Sequence, residues 1–400
     1  MRLVDSNVMI ALIGAGSTLL VGLLTAWVAM VTRRVTLRRA DQDRDDAVRR
    51  ADAERDAALD RLNRQLDAQA ADTAAREGRA DERHRLDLAQ ARARLMSERF
   101  GKATEQMAGA EPAVRVAGVY AMATLADEWM EQRQQCVDVL CAYLRLPVRR
   151  EDGEAQVRAT VVSVVRQHLV PRADPSWQAL DFDLRAAVFP SGAADFTEVV
   201  FAGNAWFQGA DFQGAARFAR ARFAGSTGFD HATFHDRVAF DSATVVGHAG
   251  FAGVTFLGDA GFWGAVFEQT AGFDGAKFCQ AARFAEATFR GRAGFQEAVF
   301  GGVVDFSGTS FGQTAWFHEA RFVGRSLFRD TDFGGDVRFS GAVVEQPLDL
   351  TAVMVPPGHN PRFYFPDGGQ TTDPPVIGQN TSPGAAPAGC GPSDPRPDLS

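Results

Sequence analysis

The residues whose types and spacing could do chemistry are few and scattered. Gly308-Thr309-Ser310-Phe311-Gly312 fits the string of a nucleophile elbow, in which the serine needs a strand-to-helix turn and distant acid and histidine partners. Here Phe311 and the flanking glycines belong to a longer periodic pattern, so the string is explained without a nucleophile. His231 and His235 stand four apart, a metal-ligand spacing only on a helix, with no third ligand in sight. Cys136, Cys141, Cys279 and Cys390 are dispersed and resemble neither a disulfide framework nor paired zinc ligands. Cys136 and Cys141, five apart on a predicted helix, belong in or near a core. Asp330 and Asp332 read as isolated surface acids, and His168 sits near a helix end, where a cation suits the dipole. Nothing assembles nucleophile, base and orienter. No catalytic residue, cofactor or metal is expected.

The composition agrees. Of 400 residues 31 are Phe and 39 Gly, and the net charge is −8. A mild acidic balance argues against a general polyanion binder, because phosphate neutralisation needs a clustered basic surface. Nucleic acid is therefore not an expected partner.

Near the start of the chain, residues 8–31 are free of charge and end in Thr32-Arg33-Arg34. At about 1.5 Å per residue such a helix covers a hydrocarbon layer of roughly 30 Å, and it exceeds the apolar region of a signal peptide. The expectation is a transmembrane helix over 8–32 in contact with the lipid bilayer. Arginines after the span place a short tail, 1–7, outside and the bulk of the chain on the cytoplasmic side of the cell membrane. Gly14-Ala15-Gly16 lies inside this run and is no phosphate loop. Gly14, Thr18, Gly22 and Ala26 recur at every fourth position as a candidate helix-packing stripe.

Residues 36–100 interleave 15 Arg with 15 Asp and Glu and hold no Pro, which favours a long charged helical stalk. Leu37, Val48 and Leu59 recur at every eleventh position, as do Ala51, Leu62 and, after polar Thr73 and His84, Leu95. That period suits a coiled coil with slight right-handed twist, and a homo-oligomer through span and stalk stands beside a single charged helix. Residues 101–170 read as a small helical segment. A helix opens at Glu111-Pro112 with Val114, Val116, Ala117, Tyr120, Ala121 and Leu125 on its apolar face. Two more cover about 131–145 and 154–169.

From Phe196 a period takes over. Phe recurs at steps of five and six without a slip as far as Phe339, with Val245, Val344 and Leu350 at the remaining register positions. Two residues before each stands a small residue such as Ala205, Ala210, Ala271 or Ala276. A β-branched residue often precedes the aromatic that closes a five-residue step, as at Thr233, Thr255 and Val266. Gly recurs two residues after many of the Phe positions, as at Gly209, Gly214, Gly225 and Gly275. Residues two apart on a strand share a face, so the small residue and the Phe point inward and the residue between them outward. Glycine supplies the turn. Short strands with a turn every five or six residues describe an all-β solenoid. Four such sides, two of each length, make one rung, and the periodic stretch holds about seven rungs.

The segments AEATF, GAVF and GADF resemble the pentapeptide-repeat family, in its Phe-centred form with alternating five- and six-residue steps. The resemblance covers about 182–350. ERFGKATEQM, VRVAGVYAMATLADEW, VDVLCAYLRLP and LDFDLRAAVF further resemble membrane-anchored bacterial members. What this implies is a right-handed quadrilateral β-helix without catalysis, serving as a protein–protein interaction scaffold with a protein partner of unknown identity. The alternative it implies is mimicry of the DNA duplex to bind a type II topoisomerase. Trp206 and Trp316, five whole rungs apart, precede register Phe residues in one outward column, and Trp263 follows one in another. These three are the candidate partner contacts. Residues 355–400, rich in Pro and Gly, are expected to be disordered, with Phe363, Tyr364 and Phe365 folding back over the last rung. Asn380-Thr381-Ser382 matches a glycosylation acceptor, which a cytoplasmic tail would never present to the enzyme.

Overall fold

A ring every five or six residues can be buried only if the chain turns at the same interval. In the computed structural model it does. The structure describes residues 6–149 and 152–354, with the backbone of 363–364 and 370–371, and side chains from residue 21. Two compact units are present, 1–92 and 93–400.

The first unit lies in helix α1 (Ser6–Ala108). Ala, Arg, Asp and Glu are good or tolerable helix formers, and Arg76 pairs with Asp72 one turn back at 2.5 Å. Leu37, Val48 and Leu59 are all exposed. The expected membrane placement is corrected. Among the described residues no helix is long and apolar enough to cross a membrane. Within α1 the side chains described from residue 21 onward meet charge in Arg33 and Arg34. The side chains of 8–20, with Gly14 and Thr18, lie outside the described residues. Gly22 faces open space and Ala26 is exposed. The outside N-terminus and the cytoplasmic orientation fall with the span.

In the second unit the last turns of α1 pack with α2 (Pro112–Glu128), α3 (Arg133–Arg145) and α4 (Glu154–Leu169). Val137, Leu140, Cys141 and Leu144 of α3 and Val157, Val161, Val165 and Leu169 of α4 are buried. The buried face of α2 is rotated from the expected one. Arg115, Val119, Met122 and Leu125 are inside, while Val114 and Tyr120 are exposed. Two residues set that rotation: Arg115 is drawn in by a buried carboxylate, and Gly118 lets α2 approach α1 so closely that a Cβ there would fall 2.6 Å from the Met107 nitrogen.

The solenoid that follows has four faces, each a parallel stack of two-residue strands. A representative turn runs through Ala205–Trp206, Asp211–Phe212, Ala216–Arg217 and Arg222–Phe223, on faces one to four. Each strand pairs with its counterpart in the next turn, Ala249 with Ala271 and Phe256 with Phe278. There are about eight turns rather than seven. The additional one begins at Phe182–Asp183 and Val188–Phe189, whose partners at Ala205 and Asp211 lie one position beyond the regular interval. That surplus residue hid the turn from the strict period. At the other end, strand Phe363–Tyr364 pairs with Val337–Arg338 on the first face and with Gln370–Thr371. Phe365, the rest of 355–400 and its expected disorder lie outside the described residues.

Register Phe residues and the small residues two before them are buried throughout. Rings one turn apart stack nearly parallel, Phe207 on Phe229 at 4.7 Å and Phe251 on Phe273 at 4.6 Å. Opposite columns meet edge to face, Phe262 and Phe273 at 5.4 Å and 88°, and columns joined by a five-residue step meet at a tilt, Phe273 and Phe278 at 38°. The stacked and edge-to-face arrangements are favoured aromatic geometries.

The alternating steps have separate causes. Each five-residue step contains a left-handed residue, either glycine, as at Gly264 and Gly275, or a strained side chain such as Glu286, Glu297 or Glu319. The six-residue steps turn without one, but successive turns approach closely there. A Cβ on Gly225 would lie 2.5 Å from the Gly203 carbonyl oxygen. Gly275→Ala meets nothing closer than the Gly253 nitrogen at 4.0 Å and costs only the left-handed penalty, about 1–2 kcal/mol. Gly225→Ala must push two turns apart and is expected to cost more. Denaturant unfolding of the two variants ranks them, and equal losses would contradict this division.

Candidate functional site

The motif residues separate once placed on the coil. Ser310 is the outward residue of strand Ser310–Phe311, and Thr309 is buried, donating its hydroxyl to the Phe284 carbonyl at 2.8 Å. Gly308 is left-handed at φ 67°. The whole string is thus one repeat unit. His231 occupies a left-handed turn position, while the His235 ring reaches Asp211 at 2.7 Å. Asp330 also sits at a left-handed turn and Asp332 faces outward on the fourth face. No group of three or more metal-ligating side chains occurs among the described residues. Cys136 and Cys141 are buried free thiols, which burial pushes up to about 11 and about 12, away from thiolate chemistry. Cys279 is disulfide-bonded, which the dispersion of the cysteines did not suggest.

Two polar clusters escaped the sequence reading, and both build the helical end. Glu154 lies buried between two guanidinium groups, 2.7 Å from Arg158 and 3.5 Å from Arg115, and accepts the Tyr143 hydroxyl at 3.0 Å. Arg158 also donates to the Leu144 and Leu146 carbonyls at the end of α3, and Arg115 to the Ala110 carbonyl. Burial and the neighbouring Glu154 push the Tyr143 phenol up to about 12. His168 is stacked on Trp177 at 3.9 Å, and Asp127 accepts the Trp177 indole N–H at 2.9 Å. It packs in a polar junction rather than merely facing a helix dipole. The usable signal in the sequence was Arg115 and Arg158 standing within otherwise apolar helix faces.

The outward columns are the surface left for recognition. On the first face the column reads Asp183, Trp206, Gly228, Gly250, Gly272, Gly294, Trp316 and Arg338. Trp206 and Trp316 share it, and Trp263 stands in the turn that leaves the third face, 54% exposed. Glycine is poor strand material and often marks close approach of another group. Part of that approach is internal. Asp230 leans over Gly250 and Asp274 over Gly294, where a Cβ would come within 2.7 Å of each carboxylate. Their Oδ1 atoms accept the amide N–H groups of Ala252 and Gln296, one turn on, at 2.9 and 3.0 Å. Gln208 covers Gly228 in the same way.

A trough of 330 Å³ remains beside Trp206, floored by Gly228, Gly250 and Gly272 and walled by Gln208, Asp230 and His248. A second hollow of 490 Å³ on the third face is lined by Trp263 with Asp241, Asp259, Arg283 and Asp305. Arg283 pairs there with Asp259 at 3.1 Å.

Two outcomes follow for the helical end. Glu154→Ala leaves two buried guanidinium charges without their counter-ion and should cost about 3–5 kcal/mol, with Glu154→Gln milder; urea unfolding measures both. Asp183, on the first strand, is held down from 3.8 to about 2, chiefly by the Arg185 guanidinium and further by Arg145 of α3. A carboxyl depressed by folding stabilises above its ordinary value and loses that contribution as pH falls through the folded one. The stability gap between the parent and Asp183→Asn should be full at pH 6 and closed near pH 2, read by thermal unfolding across that range. A gap unchanged at pH 2 would refute the assignment.

Residues 191–353 match, in overlapping segments from 191–233 to 306–353, the family described as Pentapeptide repeats (9 copies). No curated protein and no solved structure matches the chain.

Proposed function

We propose that this pentapeptide-repeat protein is a non-enzymatic scaffold for protein–protein interaction, recognised through the outward columns of its solenoid. The observation that carries the reading is the interior. Phe and small side chains fill every turn, so chemistry can vary only outside. The three tryptophans then stand at columns where a flat partner surface could seat them, and aromatic anchors dominate such interfaces.

Mimicry of the DNA duplex has less support. It requires a concentrated acidic face, whereas many acids here are neutralised across turns. Arg220 pairs with Glu198, Arg290 with Glu268, Arg321 with Glu345 and Arg329 with Asp349.

The test is purification of the full chain with its neighbours crosslinked, followed by direct binding of each identified protein to the purified chain. A true partner loses at least about tenfold in affinity on Trp263→Ala or Trp316→Ala, with unfolding of the solenoid unchanged. Partners indifferent to every outward substitution would defeat the reading. An enzymatic activity abolished by a single polar substitution would replace it.

A further inference from the structure

The outward column of the first face holds two tryptophans in different company. One turn beyond Trp316 stands Arg338, whose guanidinium carbon lies 4.4 Å from the centre of the Trp316 ring. One turn beyond Trp206, at the same register, stands Gly228. The first pair shows what a ring in this column accepts: a guanidinium laid on its face, an arrangement that planar, weakly hydrated arginine makes better than lysine. Beside Trp206 the described residues supply no cation, only the Gln208 amide that covers Gly228, and the surface opens into the 330 Å³ trough.

The trough wall is rich in acceptors. Asp230 spends Oδ1 on the Ala252 amide and forms no ion pair among the described residues. Gln208 Oε1 is screened from water without a hydrogen-bond partner. Unpaired screened acceptors of this kind are costly unless a donor arrives. His248 is the one basic side chain on the lining. A ligand that fits must be flat, carry several N–H donors in a plane and be positively charged.

We propose that this trough receives the guanidinium of an arginine side chain presented by a partner protein. The group stacks on Trp206, donates to the free oxygen of Asp230 and offers a further N–H to Gln208. The inference rests on the scaffold reading and names the chemistry its partner must bring. The glycine floor is what lets the side chain lie along the sheet rather than stand away from it.

The test uses the full chain with its six tryptophans labelled with nitrogen-15 at the indole, and Trp206→Phe to assign one resonance. The probe is acetyl-Gly-Arg-Gly-amide, with the citrulline peptide as a neutral isostere and the lysine peptide as a compact cation. The arginine peptide should shift the Trp206 indole saturably, with a dissociation constant on the order of millimolar for so small a ligand. The citrulline and lysine peptides should bind about tenfold more weakly. Asp230→Asn should weaken the response, and Gly228→Arg, which rebuilds the Trp316–Arg338 pair, should abolish it. Unmoved resonances of the other five indoles confirm that each variant is folded. Equal shifts from arginine and citrulline, tighter binding of a neutral disaccharide than of the arginine peptide, or a Gly228→Arg chain that still responds would overturn the proposal. Peptide binding and partner capture are read in separate experiments, so failure of one does not count as failure of the other.

Discussion

Packing of phenylalanine on phenylalanine, one turn above another, sets nearly everything else in the solenoid. Parallel strands in a stack lie about 4.8 Å apart, and aromatic rings pack well at nearly that separation. The column of Phe229, Phe251 and Phe273 therefore keeps step with the backbone ladder, at 5.1 and 4.6 Å. Four such columns meet edge to face or at a tilt, and in the regular turns they leave the second inward position of each strand room for Ala, Val, Ser or Thr. Where Val245 interrupts the fourth column, it remains buried and its strand keeps its partners. The main-chain ladder thus tolerates a missing ring, as expected of many repeated contacts in parallel.

The corners are less uniform than the interior. Five-residue steps turn through a left-handed residue that glycine, glutamate, arginine or histidine occupies in different turns. Six-residue steps avoid that strain but bring adjacent backbones together, as at Gly203 and Gly225. A single habit of the sequence, glycine two residues after phenylalanine, therefore has two physical origins. One is freedom at φ and the other is absence of a Cβ.

Much of the solenoid was legible because its constraints repeat. Inward and outward positions followed from the spacing of two along a strand, and the common column of Trp206 and Trp316 from their separation by five whole turns. What escaped was whatever breaks the repeat or acts across it. The first turn lay within the resemblance from 182 but outside the strict period, because of its one-residue surplus. The buried face of α2 was misplaced because Arg115 looks like a surface residue until Glu154 is brought to it from another helix. The apolar run near the start suggested a bilayer span that the described helix does not support. The glycine floor of the trough could not be read at all, since it depends on Gln208 and Asp230 leaning over the turn above.

From Phe182 to Asp349 the ladder of the coil joins residues about one turn apart and in the same sense, and α3 packs against its first two strands. Each turn therefore needs as a template only the turn before it. Loop closure is brief at every step, and the order in which contacts become available is the order in which a ribosome delivers the chain. Such a molecule is built like a spring wound from one end, with no late event in which distant halves must find each other.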